Sequence, residues 1–103
     1  MPNKPVLLVK GGVEPRSLYI AAAAANVASE LGLTATITSG RDGVHKVNSL
    51  HYEDAALDLR SRDMTFGQRQ AFITRLRQRL GRAYQVIDEH QTKVHIHVEY
   101  DPQ

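Results

Sequence analysis

Apolar positions along the chain alternate between strand-like and helix-like spacing. Val6-Leu7-Leu8-Val9 is a short, fully apolar run that predicts a buried first strand, broken by Gly11-Gly12. Glu14-Pro15-Arg16-Ser17 has the character of a helix start, with Ser17 as its cap. A helix is predicted from Leu18 to Leu31, where the alanines from Ala21 to Ala25 combine high helix propensity with room for a neighbour to approach. Leu18, Ala22, Ala25, Ala28 and Leu31 fall near one face of it, expected to be the core-facing one, and Gly32 is placed to end it. Thr34-Ala35-Thr36-Ile37-Thr38 alternates with β-branched residues, so a second strand is expected there.

Ser39-Gly40-Arg41-Asp42-Gly43 is a turn sequence, and a polar loop with His45, Lys46 and Asn48 leads from it to Ser49. Such a loop is where substrate contacts usually sit. Ala55-Ala56-Leu57-Asp58-Leu59 predicts a third strand, with Leu57 and Leu59 on one face and Ala56 and Asp58 on the other. Thr65 is placed to cap a second helix from Phe66 to Leu80, whose apolar stripe is Phe72, Ile73, Leu76 and Leu80, and Gly81 ends it. Its arginines, Arg69, Arg75, Arg77 and Arg79, are expected to form a solvated face. Tyr84-Gln85-Val86-Ile87, a turn over Asp88-Glu89-His90-Gln91-Thr92, and Lys93 to Tyr100 complete a hairpin. The expected fold is α+β, a small, mainly antiparallel sheet with two helices packed on it.

At 103 residues the chain has the length of one domain, read as spanning 1–103, and a 42% hydrophobic fraction suits a globular core. A net charge of only +2 gives no support for a nucleic-acid partner. The absence of cysteine excludes disulfides, thiolate metal sites and cysteine nucleophiles. Met1-Pro-Asn-Lys-Pro has no secretory h-region, and the run Ile20 to Ala25 is far below the roughly 20 residues that span a bilayer. Neither a signal peptide nor membrane insertion is therefore expected.

Two stretches carry candidate chemistry. An aspartate inside an apolar strand needs a partner, since a buried, unpaired carboxylate costs several kcal/mol. For Asp58 the plain structural answer is Arg60 or Arg62. In Val94-His95-Ile96-His97-Val98, however, the two imidazoles share a strand face and lose solvation unless they meet water, a charge or a metal. With His51 they form a set of donors suited to zinc, in which three protein ligands and one open position are the usual catalytic arrangement. His45 and His90 lie in loops and are expected to be solvated.

Ser49-x-His51-x-x-x-x-Ala56-x-Asp58, followed by His95-x-His97, resembles the zinc D-alanyl-D-alanine carboxypeptidases and phage peptidoglycan endopeptidases. That group also holds the lysostaphin-type enzymes and the hedgehog signalling domain. Their pattern is Ser-x-His-x-x-Gly-x-Ala-x-Asp with a distal histidine preceded by a catalytic residue. The resemblance covers roughly residues 38–98, with Ile37 to Arg41 similar to the segment that supplies a substrate-positioning arginine. It implies a hedgehog-like fold, His51, Asp58 and His97 as ligands of one Zn2+, His95 as the residue beside the reacting water, and Arg41 as the holder of the substrate carboxylate or carbonyl. Asp54 stands at the family's glycine, Val94 replaces the glutamate of a Glu-x-x-His ending, and Arg41 follows Gly40 directly. Glu99, Ser49 and Asp54 are weaker candidates for orienting the ligands.

The function so implied is zinc-dependent hydrolysis of the peptidoglycan stem peptide, as a carboxypeptidase or an endolysin-type endopeptidase of phage or prophage origin. Such an enzyme is made in the cytoplasm and reaches the wall through a holin lesion or within a phage particle. Two rivals remain at this point: a non-catalytic zinc-binding structural module of a phage particle, and a metal-free scaffold in which Asp58 pairs with arginine.

Overall fold

The computed structural model describes residues 5–10, 17–39 and 55–102. Among them are β1 (Leu7–Val9), α1 (Leu18–Leu31), β2 (Ala35–Ser39), β3 (Ala56–Arg60), α2 (Phe66–Leu80), β4 (Tyr84–Glu89), the short α3 (His90–Lys93) and β5 (His95–Tyr100). The strands form one sheet in the order β1-β2-β3-β5-β4. Only β1 and β2 run parallel; the other neighbours are antiparallel. The α+β, mainly antiparallel expectation holds, with three helices rather than two.

Strand alternation sorts the sheet into two chemically different faces. Leu57 and Leu59 of β3 lie opposite Val98 and Ile96 of β5, and all four are buried with Val86 and Ile37. This face packs with Phe72 and Leu76 of α2 and Ile20, Ala24 and Val27 of α1 in one core. At about 25 cal/mol per Å2 of apolar area removed from water, burial of this kind is the main force holding the layers together. The other face carries Asp58, His95, His97 and Glu99.

Both long helices have defined ends. Thr65 and Gln68 form a reciprocal capping box at the start of α2, each side chain bonding the other's backbone N–H. Gly32 adopts φ 71°, and the N–H groups of Gly32 and Leu33 reach Ser29 and Ala28 carbonyls, closing α1 as the glycine predicts. Ser17 stands at the start of α1 without capping it by its side chain. Its hydroxyl, fully buried, instead accepts from Ala56 N–H at 3.1 Å and donates to Ala56 C=O at 3.2 Å, fastening the helix to the start of β3.

Other expectations need correction. The buried face of α1 is Ile20, Ala21, Ala23, Ala24, Val27 and Ala28, whereas Leu18 is 58% exposed. In a helix that is apolar almost all round, spacing of small alanines decides little; the larger area of Ile20 and Val27 sets the rotation. β1 is an edge strand with Leu8 and Val9 exposed, because an apolar run reads alike at an edge and in a sheet centre. The α2 arginines are engaged rather than simply solvated. Arg69 is buried and pairs with Asp88 at 3.3 Å, Arg77 donates twice to Val86 C=O, and Arg75 and Arg79 both hold Glu30 of α1.

Replacing Ser17 with alanine leaves the part-buried N–H and C=O of Ala56 without this partner. The expected loss is about 1–3 kcal/mol, against about 1 kcal/mol for Thr65→Ala at the α2 cap. Urea denaturation of both variants measures the order.

Candidate metal centre

Residues two apart on β5 meet their counterparts on both flanking strands. Register places His97 opposite Asp58 of β3 and Ile87 of β4, and His95 opposite Arg60 and Glu89. Among the described residues, the partner that the strand carboxylate Asp58 needs is an imidazole of β5 and not Arg60 or Arg62. Its Oδ1 lies 2.7 Å from His97 Nδ1 and 3.5 Å from His95 Nε2, while Arg60 faces Asp63 at 4.0 Å.

His97 is held at both nitrogens. Nδ1 meets Asp58, and Nε2 meets Glu99 Oε1 at 2.9 Å. Two carboxylate acceptors on one ring favour the doubly protonated imidazolium, with both N–H groups donating. Hydrogen bonding to Asp58 is the largest cause, burial opposes it, and Glu99 adds to it, so the His97 pKa rises from 6.5 to about 9. Asp58 and His97 side chains are 22% and 26% exposed, enough burial for the charges to matter to one another.

The donor set suits a cation at the Asp58–His97 contact. A proton now sits between a carboxylate oxygen and an imidazole nitrogen, which are two of the ligand types zinc takes at about 2.0–2.2 Å. The opposite nitrogen of the same ring donates to Glu99, the outer carboxylate that a metal-ligating histidine commonly has. A third ligand is required. His51, assigned that place by the resemblance, and Arg41 both lie outside the described residues, as do His45, Ser49 and Asp54. Among the described residues, no three His, Asp or Glu side chains are grouped to hold a metal ion.

His95 sits beside this pair, its Nε2 donating to Glu89 Oε1 at 2.8 Å. Glu89 is the site residue that the sequence does not announce, because the polar stretch Asp88 to Thr92 reads as a turn. β4 instead extends two residues further, to Glu89, and pairs it with His95. The signal was its spacing: a turn shortened at its start puts Glu89 directly across from the first strand histidine. His90 also departs from expectation. It is not a free loop histidine, since its Nδ1 is 2.6 Å from the buried Ser61 hydroxyl.

Compared with known proteins, the chain gives no significant match to a family model, a curated protein or a solved structure. No helix among the described residues is long and apolar enough to cross a membrane.

The His97 shift has a direct consequence for stability of the metal-free chain. A native pKa of about 9 against 6.5 when unfolded means that the native state holds this proton more tightly. The stabilisation is complete below about pH 6.5 and disappears as pH rises through about 9, an effect on the order of 2–3 kcal/mol. Urea unfolding in excess chelator should show this decline, and Asp58→Asn should flatten it. A wild-type stability that stays level from pH 6.5 to 9.5 contradicts the proton-bridged pair.

Proposed function

We propose that the protein is a zinc-dependent peptidase acting on the peptidoglycan stem, with the hedgehog-like variant of the α+β fold that its motif resembles. One observation carries the reading: Asp58 and His97, seven-tenths buried or more, aim an oxygen and a nitrogen at the same point from adjacent strands. Glu99 behind the ring leaves Nδ1 as the nitrogen for a cation. His51 completes the ligand set in this reading, and Zn2+, when bound, supplies Lewis acidity toward a scissile carbonyl and toward water.

The chain's own residues divide the remaining work. His95 stands beside the Asp58 corner, next to where the reacting water would lie, and Glu89 accepts its Nε2–H and so orients the ring. Glu89 thus answers the departure at Val94: the carboxylate missing from a Glu-x-x-His ending arrives from β4. Arg41 holds the substrate's carboxylate or carbonyl. Whether the cut releases terminal D-alanine or divides the stem, the ligands are the same. The phage or prophage origin, and delivery through a membrane lesion or a phage particle, belong to this reading too.

Untagged protein should carry about one zinc per chain and release new products, seen by mass spectrometry, from purified peptidoglycan. Asp58→Asn and His97→Ala should lose both zinc and activity. His95→Gln should keep zinc and lose activity by roughly 100-fold or more. A protein that binds zinc but leaves peptidoglycan intact supports the structural module instead; one that binds none refutes both.

A further inference from the structure

The connection between β4 and β5 is short, strained and tied down at several points. Val94 sits at φ 57°, ψ 41°, a left-handed conformation that crowds a β-branched side chain. It is the one non-glycine residue with positive φ among the described residues. Something must hold it there, and the bonds converge on Ser61, in the segment between β3 and α2. Ser61 N–H donates to Val94 C=O at 3.2 Å, and Ser61 Oγ lies 2.6 Å from His90 Nδ1. Val94 N–H closes back on His90 C=O at 3.1 Å. His90 N–H donates to Asp88 Oδ1, whose other oxygen takes Arg69 and Gln70 of α2.

Ser61 is fully buried, so the Ser–His contact is not an accessible nucleophile with its base. Its position gives it another use. The residues flanking the connection are Glu89 before α3 and His95 after Val94, the two that meet at 2.8 Å. We propose that Ser61, through His90 and Val94, is a positioning residue that fixes His95 against Glu89 for the reaction. Its Oγ bond sets the start of the connection and its N–H bond sets the end. A misplacement of about 1 Å at a reacting group can cost about 100-fold in rate, which is why strain at this place is tolerated.

This inference rests on the peptidase reading for its kinetic arm, and a spectroscopic arm stands apart from it. Ser61→Ala removes the Oγ bond and keeps the backbone N–H. In the zinc-loaded protein it should lower kcat on peptidoglycan fragments about tenfold or more, with KM and zinc content unchanged. Ring 15N signals of His95 should shift or broaden in Ser61→Ala while those of His97 stay in place. Glycine adopts positive φ without crowding, so Val94→Gly removes the strain that Ser61 opposes. The loss caused by Ser61→Ala should therefore shrink at least several-fold in the Val94→Gly background, a coupling that general destabilisation does not produce. Wild-type protein without hydrolysis overturns the peptidase reading and leaves the ring signals to judge the latch. Active wild type with unchanged kcat in Ser61→Ala, unmoved His95 signals, or equal losses in both backgrounds overturns the latch.

Discussion

Pairing of β3 with β5 is the constraint on which the molecule depends. In that register Leu57 meets Val98 and Leu59 meets Ile96 on the helix side, and on the reverse side Asp58 meets His97. Side chains alternate with a period of two, so a slip by one residue would turn the valine and isoleucine outward and bury the histidines beneath α2. Core and candidate site are therefore consequences of the same ladder. Hydrophobic burial fixes the register, and the register delivers the carboxylate to the imidazole.

The polar face is balanced by partners rather than by solvent. Glu89, Asp58 and Glu99 alternate with His95 and His97, each imidazole within hydrogen-bond reach of a carboxylate. Such a row needs positive charge to be stable, and at His97 the imidazolium held between Asp58 and Glu99 supplies it. A divalent cation would satisfy the same demand at Asp58 and His97. On the helix side Asp88 does comparable structural work, binding Arg69, Gln70 and the His90 N–H. Its carboxyl is opposed by burial, but the His90 and Arg69 bonds outweigh that and hold its pKa below the usual value.

What the sequence made legible follows from how local each signal is. Strand alternation put His95 and His97 on one face, and a lone Asp58 in an apolar run demanded a partner; both were visible in a few residues. Thr65, Gly32 and Gly81 marked helix ends because caps are local chemistry. The partner of Asp58 was not legible, since choosing between Arg60 and His97 needs the β3–β5 register. Glu89 was hidden by the assumption that a polar stretch is a turn, when two of its residues continue β4. The face of α1 was hidden by its alanines, and Ser61 by having no neighbour in sequence that hinted at His90, 29 positions on.

Arg77 has an effect that reaches beyond its own helix. Among the described residues β4 is the last strand on its side of the sheet, and the Arg77 guanidinium occupies the outward-facing Val86 carbonyl. That oxygen is the acceptor an additional strand would need to dock, so a second chain approaching there must first displace a charged, twice-bonded donor. The hairpin bearing Glu89 and His95 is thereby guarded against aggregation along its own border by a side chain from the opposite layer.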